Sequence, residues 1–475
     1  MVGGFSTCFS SRDVCRFCHC TYQDLSNRIH NFTKSGSHSP WTRTEYDKIT
    51  EAFDHNPVSE ENLVSIDPED LFNEVEEPIL SSDSSSSNES DSEESSGVNY
   101  GLRSRCVFNE LEAFHCVTSM PPDCLHDLFE GVLAQDLLGI IRVFHQKLWF
   151  SVKDYNKVLK RFPLSPQESS NRPQEVPLNS SVKKLNGKAV SIWCHMRLFM
   201  LVLYLNNWIK DENDEVLKLA ILLSDITLRV TAEEFQEYEI DRLEELVIQY
   251  LDLREELCSR YPVLGTAKPK HHNLTHYGAS IRKFGPPMCY WTGRFESKHR
   301  VSKSLAESGK NFINVSLTIS TRQQFRLAST FFRGMFPDDL SLPVKVKTVS
   351  ELGHEGLDRQ FRSFAHYDDL VCEEVTWKSR QYKVGVMVVI SRFDQILMDV
   401  GEIRLILIRN NEVHLILRRS KIEQNFVTIF KSIEISNQLS VVKLRDLQDT
   451  YPLFKRGNES NFCLIPHHHV SFLYD

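Results

Sequence analysis

The hydrophobic period of this chain changes once, and that change limits what the chain can fold into. Up to Pro337 apolar residues recur at three- and four-residue spacing, whereas residues 372–475 alternate in short β-branched runs. The first pattern predicts a buried helix from Ala189 to Ile209, carrying Trp193, Leu198, Phe199, Val202, Leu205 and Trp208. It also predicts amphipathic helices over Asp214–Arg229 and Glu233–Arg260, the latter with charge pairs Glu239–Arg242 and Glu256–Arg260. The second pattern predicts strands at Lys383–Ile390, Ile403–Ile408, Val413–Leu417, Phe426–Phe430 and Ser440–Leu444. Turn signals at Asn410-Asn411 and Arg456-Gly457-Asn458 separate them. The expected class is α+β, with a mainly helical part over 99–340 and a small β-barrel-like domain over 372–475.

Composition matters for the ends of that plan. Residues 59–96 hold thirteen Asp or Glu and no Lys or Arg; the rest of the chain then carries 55 basic against 51 acidic side chains, so the net −9 is local. The serine-rich, acidic stretch 55–98 has too little apolar surface to offset its ordering entropy and is expected to be a disordered linker. The remainder is mildly basic, compatible with nucleic acid. No apolar run approaches the eighteen residues a bilayer requires, the strongest being Leu198–Leu205, and no basic patch with an apolar core opens the chain. A nuclear or cytoplasmic, non-secreted protein without membrane contact is the expectation. Twelve cysteines in 475 residues are too sparse for a disulfide framework. They stand singly except near Cys15-Arg16-Phe17-Cys18, whose spacing lets two thiolates reach one zinc. This defines segment 1–54 as zinc-binding-like, with Cys8, Cys20, His30, His38, Cys106, His115 and Cys116 as candidates for the other ligands.

Chemistry is densest from Met120 to Val132, which reads MPPDCLHDLFEGV. Two prolines bring the chain in extended, and Asp123 then stands where a helix N-cap belongs. His126, Asp127 and Glu130 follow around the same helix end, above an apolar series at Leu125, Leu128, Phe129 and Val132. A second block, Pro269–Tyr277, brings together His271, His272 and His276. The residue after His272 is Asn273 rather than glutamate, so a zincin is excluded and packing or phosphate contact is the expectation for these imidazoles. Further on, Glu296 sits inside a strip containing Arg282, Lys283, Arg294, Lys298, His299, Arg300, Lys303 and Lys310.

These two blocks, PPDCLHDLFEGV and PKHHNLTHY with FGPP and YWTGRFESKH behind it, resemble the animal branch of CACTA-type (En/Spm-like) DNA transposases. The resemblance implies the helical remnant of an RNase H-like core, in which acidic residues hold two Mg²⁺ or Mn²⁺ ions for phosphodiester attack. On that reading Glu296 is the late catalytic carboxylate, and Asp123 and His126 form the D-x-x-H element supporting it. The resemblance also implies a structural zinc on Cys15 and Cys18, completed by Cys106 or by His115 and Cys116, and DNA contact through Arg294, Lys298, His299 and Arg300. The family's first two catalytic aspartates precede its CxxC, where this sequence has only Asp13. The chain is therefore expected to be an N-terminally truncated, transposon-derived protein that does not cleave DNA and at most binds it. The competing expectation is a zinc-dependent protein-interaction scaffold. A mechanistic meaning for the resemblance requires Asp123 and Glu296 to converge in one acidic pocket.

Overall fold

The computed structural model describes residues 15–21, 39–55, 105–165, 168–309, 313–333, 340–342, 346–356, 358–378, 380–394, 396–426, 428–458 and 461–471. Residues 56–98 of the expected linker, and Cys8, Asp13, His30, His38 and Lys310, lie outside them. The chain forms two compact units, Met1–Pro121 and Pro122–Asp475. The boundary differs from the expected one at residue 99 because 105–121 packs with the CxxC segment. The Cys106 amide donates to the Tyr46 hydroxyl at 3.0 Å, and Arg43 Nη2 donates to Thr118 Oγ1 at 2.9 Å.

In the first unit a short bridge joins Cys18 to Pro40, and the Trp41 amide donates to Phe17 O at 3.2 Å. Helix α1 (Arg43–His55) follows. Thr42 and Glu45 close a reciprocal capping box, with Thr42 N to Glu45 Oε2 at 2.9 Å and Glu45 N to Thr42 Oγ1 at 3.2 Å. The face of α1 that carries Tyr46 meets Cys106 and Cys116 in a small buried cluster with Trp41.

The second unit begins with a wide π-type turn of helix, Leu125–Leu133, that runs directly into α2 (Ala134–Gln146). α3 (Val152–Arg161), α4 (Ala189–Leu205), α5 (Glu215–Val230) and α6 (Glu237–Arg260) complete a helical layer. α4 is apolar on all sides, and thirteen of its seventeen residues are buried, which makes it the central helix. Asp214 caps α5 by accepting from Val216 N at 2.9 Å and Leu217 N at 3.1 Å. The short α7 (Pro269–Asn273) and α8 (Tyr277–Phe284) lead to a helical hairpin of α9 (Gly293–Gly309) and α10 (Val315–Arg333).

Twelve strands follow among the described residues. A three-stranded sheet pairs β1 (Leu340–Ser341), β4 (Glu374–Trp377) and β5 (Arg380–Lys383). The larger sheet is antiparallel and is built on three long strands, β7 (Leu397–Arg409), β8 (Glu412–Phe426) and β9 (Ile429–Lys443). β6 (Met387–Arg392) and β10 (Asp449–Leu453) extend it on one side, and β12 (Phe462–Leu464) and β11 (Arg456–Gly457) on the other. The far half of β7 pairs instead with β3 (Leu370–Cys372), which pairs in turn with β2 (Lys347–Thr348). Asn410 and Asn411, at φ 51° and 63°, make the two-residue β7–β8 turn, whose twist suits a hairpin and which asparagine tolerates.

The α+β expectation therefore holds, with two corrections. The sheet is open, since β10 and β11 at its two ends do not pair with each other; strands of up to fifteen residues twist into a layer here, not a closed barrel. Nor is it a separate domain, because Ile429, Cys463 and Ile465 belong to the helical core and Asn425 Nδ2 donates to Tyr204 OH on α4 at 3.0 Å.

Candidate functional site

Within the second unit the two sequence blocks meet. The π-type turn buries Leu125, Leu128, Phe129, Val132 and Leu133 and leaves His126 on the outside. Trp291 sets its ring edge-on to Phe129 at 6.3 Å, and Phe129 stacks on Trp193 of α4 at 5.4 Å. Rings packed in this way fix the second block over the first. Thr292, immediately before α9, donates its amide to Asp123 Oδ1 at 3.0 Å and its hydroxyl to Asp123 Oδ2. Asp123 also accepts from the Leu125 amide at 3.3 Å, so it caps the start of the π-type turn while holding the residue that precedes α9.

Residues 123, 126 and 296 are joined through one imidazole. His126 Nδ1 lies 2.5 Å from Asp123 Oδ2, and its Nε2 lies 3.0 Å from Glu296 Oε1, in the first turn of α9. Burial pushes the Asp123 carboxyl up, but the hydrogen bonds from His126 and Thr292 outweigh it and hold the group down at about 2. His126 is raised by its hydrogen bond to Asp123, against burial, and further by the charges of Asp123 and Glu296. Carboxylates on both ring nitrogens favour the imidazolium form, in which both nitrogens donate.

Mg²⁺ or Mn²⁺ is expected only where a complete core is assembled, and the residues present here do not form such a site by themselves. The two carboxylates approach opposite edges of the ring instead of facing a common point. No three carboxylates among the described residues bring their oxygens together. Asp123 and Glu296 thus converge on one histidine and not in one metal pocket.

The basic strip divides. Arg282 is committed to α6, pairing with Glu237 at 2.5 Å, Asp241 at 2.7 Å and Glu244 at 2.8 Å. Arg294, Lys298, His299 and Arg300 on α9 are exposed, as is Lys303. The neighbouring α10 exposes Phe325, Leu327, Phe331 and Phe332.

Zinc-capable ligands occur in each unit. In the first, Cys15, Cys18 and Cys20 cluster, and Cys15 Sγ accepts from the Phe17 amide at 3.4 Å. Cys18 is driven far above the ordinary thiol range by its hydrogen bond to Cys15, by burial, and by the adjacent sulfurs, a situation a bound cation reverses. Cys106 and His115 do not join this group, contrary to the expectation. Cys106 packs on Tyr46, while His115 faces Asp47 at 3.3 Å and accepts from the Val117 amide at 3.3 Å. Both end the intervening segment in sequence, but they fold onto α1 instead. In the second unit His272 and His276, one helical turn apart, bring their Nε2 atoms within 3.2 Å with rings nearly perpendicular. Thiolate and imidazole pairs are the donors tetrahedral zinc takes.

Spacing did not reveal the polar centre of the second unit. Asp136 of α2 is fully buried and accepts from Arg254 Nε at 2.6 Å, Arg254 Nη2 at 2.9 Å, His271 Nε2 at 3.2 Å and the Tyr250 hydroxyl. The one available signal is Arg254 itself, set in the apolar stripe Leu243, Val247, Tyr250, Leu251 and Leu257 of α6. His271 is therefore a structural donor to Asp136 and not a phosphate contact.

No protein-family model matches the chain, and comparison with curated proteins and with solved structures likewise returns no match.

Proposed function

We propose that this chain is a transposon-derived DNA-binding protein that grips the phosphate backbone through α9 and lacks a two-metal catalytic centre. The observation that carries this reading is the direct contact of the two blocks, Asp123 and His126 with Thr292 and Glu296, about 170 residues apart in sequence. The resemblance rests on the same residues. The His126–Glu296 pair neutralises the acid at the start of α9 and leaves Arg294, Lys298, Arg300 and Lys303 as a net positive, exposed surface. Such a surface binds phosphates without reading bases.

Gel shifts across a salt series test this. The chain is expected to bind duplex DNA at low salt, with log affinity falling linearly in log salt. R294A, K298A and R300A are each expected to lower the slope by about 0.9 for every phosphate the variant no longer neutralises. Absence of binding at low salt rejects the DNA reading. Strand cleavage in Mn²⁺ that E296A abolishes rejects the loss of catalysis. A scaffold reading has one observation in its favour, the apolar side chains that α10 exposes at Phe325, Leu327, Phe331 and Phe332. Protein capture without DNA affinity supports that alternative.

Zinc has a structural role in this proposal. Elemental analysis of the purified chain is expected to find zinc, and the C15S/C18S and H272A/H276A variants are each expected to lower its content. Unchanged zinc in both variants removes the metal from the proposal.

A further inference from the structure

A separate convergence of ligands lies in the second unit, where the α5–α6 turn meets β10 and the segment 466–471. Asp449 opens β10 and is 4% exposed. Its Oδ1 accepts from the Tyr451 amide at 2.8 Å and lies 3.4 Å from His468 Nε2. Its Oδ2 is buried and has no hydrogen-bond partner. A buried acceptor left without a donor is destabilising, and more so when charged, so this oxygen calls for a cation.

The arginine beside it does not supply that cation. Arg380 donates to Glu233 Oε1 and to the Thr450 hydroxyl, and lies over the Tyr451 ring at 4.3 Å. Glu233, in the α5–α6 turn, brings a third donor: one ligand atom from each of Glu233, Asp449 and His468 lies within 4.8 Å of the others. Two of the three, Asp449 and His468, are buried, so their positions are set by the fold before any ion arrives.

We propose that Glu233, Asp449 and His468 hold a divalent first-row transition-metal ion, zinc being the cation this donor set suits. One imidazole with two carboxylates is a mixed nitrogen and oxygen set of borderline character, and water fills the remaining position. Magnesium is disfavoured, since it requires an octahedron built of oxygens. The ion sits between His468 Nε2 and the Asp449 carboxylate, which lie 3.4 Å apart. It lies in a polar seam that continues one residue on, where His469 Nε2 meets Glu239 Oε1 at 2.8 Å and Ser471 Oγ donates to Glu239 Oε2 at 2.7 Å. Metal at this position ties the 466–471 segment to the helical layer.

Cobalt(II) titration of the metal-stripped full chain tests the site, because nitrogen and oxygen ligation gives visible d–d bands without the near-ultraviolet charge-transfer band of thiolate ligation. A binding event of the first kind is expected. Its affinity is expected to fall at least about tenfold in D449N, H468A and E233Q, since losing a ligand costs no less than losing an outer-shell partner. E233Q alters an exposed turn residue and keeps the test decisive if a buried variant fails to fold. Unchanged cobalt affinity in E233Q, or a spectrum made of thiolate bands alone, overturns the proposal.

Discussion

Replacing Arg254 with leucine is expected to lower the unfolding free energy by about 3–5 kcal/mol, the cost of leaving a buried charge without its partner. Arg254 and Asp136 are 1% and 0% exposed, and the guanidinium spans both carboxylate oxygens. Arg254 Nη2 also donates to Leu264 O at 3.2 Å and Gly265 O at 3.1 Å, closing the turn where Gly265 adopts φ 71°. Removing it takes the charge partner from the carboxylate and one donor from each of the two carbonyls at once. Lysine is no substitute, because a single ammonium cannot reproduce the planar fork. The D136L/R254L double variant is expected to recover part of the loss, since an apolar pair carries no desolvation penalty while Tyr250 and His271 still lose their acceptor. Urea denaturation with an unchanged m value measures each step. An R254L loss below about 1 kcal/mol would show that the network contributes little beyond packing.

Much of the helical layer was legible because its residues report burial directly. The apolar run of α4, the Asp214 cap of α5 and the asparagine pair between β7 and β8 act over a few residues and say where an element begins, ends or turns. Glu256–Arg260 formed as spaced, at 3.1 Å. Glu239–Arg242 did not: Glu239 is drawn into the interior by His469 and Ser471, and Arg242 turns to Glu245 at 3.0 Å. Local spacing is blind to a partner some 230 residues away. The same limit hid Asp136 with Arg254 and His271, and Asp449 with His468 and Glu233. Within the candidate site, neither block states that Asp123 would meet Thr292; only the family resemblance placed the blocks together. The metal-pocket expectation failed because carboxylate identity does not determine whether two acids face an ion or the two sides of a ring.

Between about pH 7.5 and pH 5 the fold is expected to lose about 2 kcal/mol through a single side chain, His195. It lies on α4 with its Nε2 2.8 Å from the Tyr155 hydroxyl, and burial depresses it to about 3. An unfolded histidine takes up its proton near pH 6.5, whereas the folded one does not until about 3, so the unfolded state binds more protons throughout that interval. The contribution is therefore present above pH 6.5 and is lost as pH falls, at about 1.4 kcal/mol per unit. His126 acts with the opposite sign, since its raised value stabilises the fold at acid pH and loses that stabilisation as pH rises. Its imidazole is 47% exposed, so solvent screening keeps that contribution small. The H195Q variant retains a group able to pair with Tyr155 but cannot titrate. Its unfolding free energy, measured in urea across the same range, is expected to fall less steeply than that of the unaltered chain. The difference between the two should narrow by about 2 kcal/mol at pH 5. Parallel curves would mean that His195 reaches protons in the folded state, and that α3 and α4 open in native conditions far more than their packing implies.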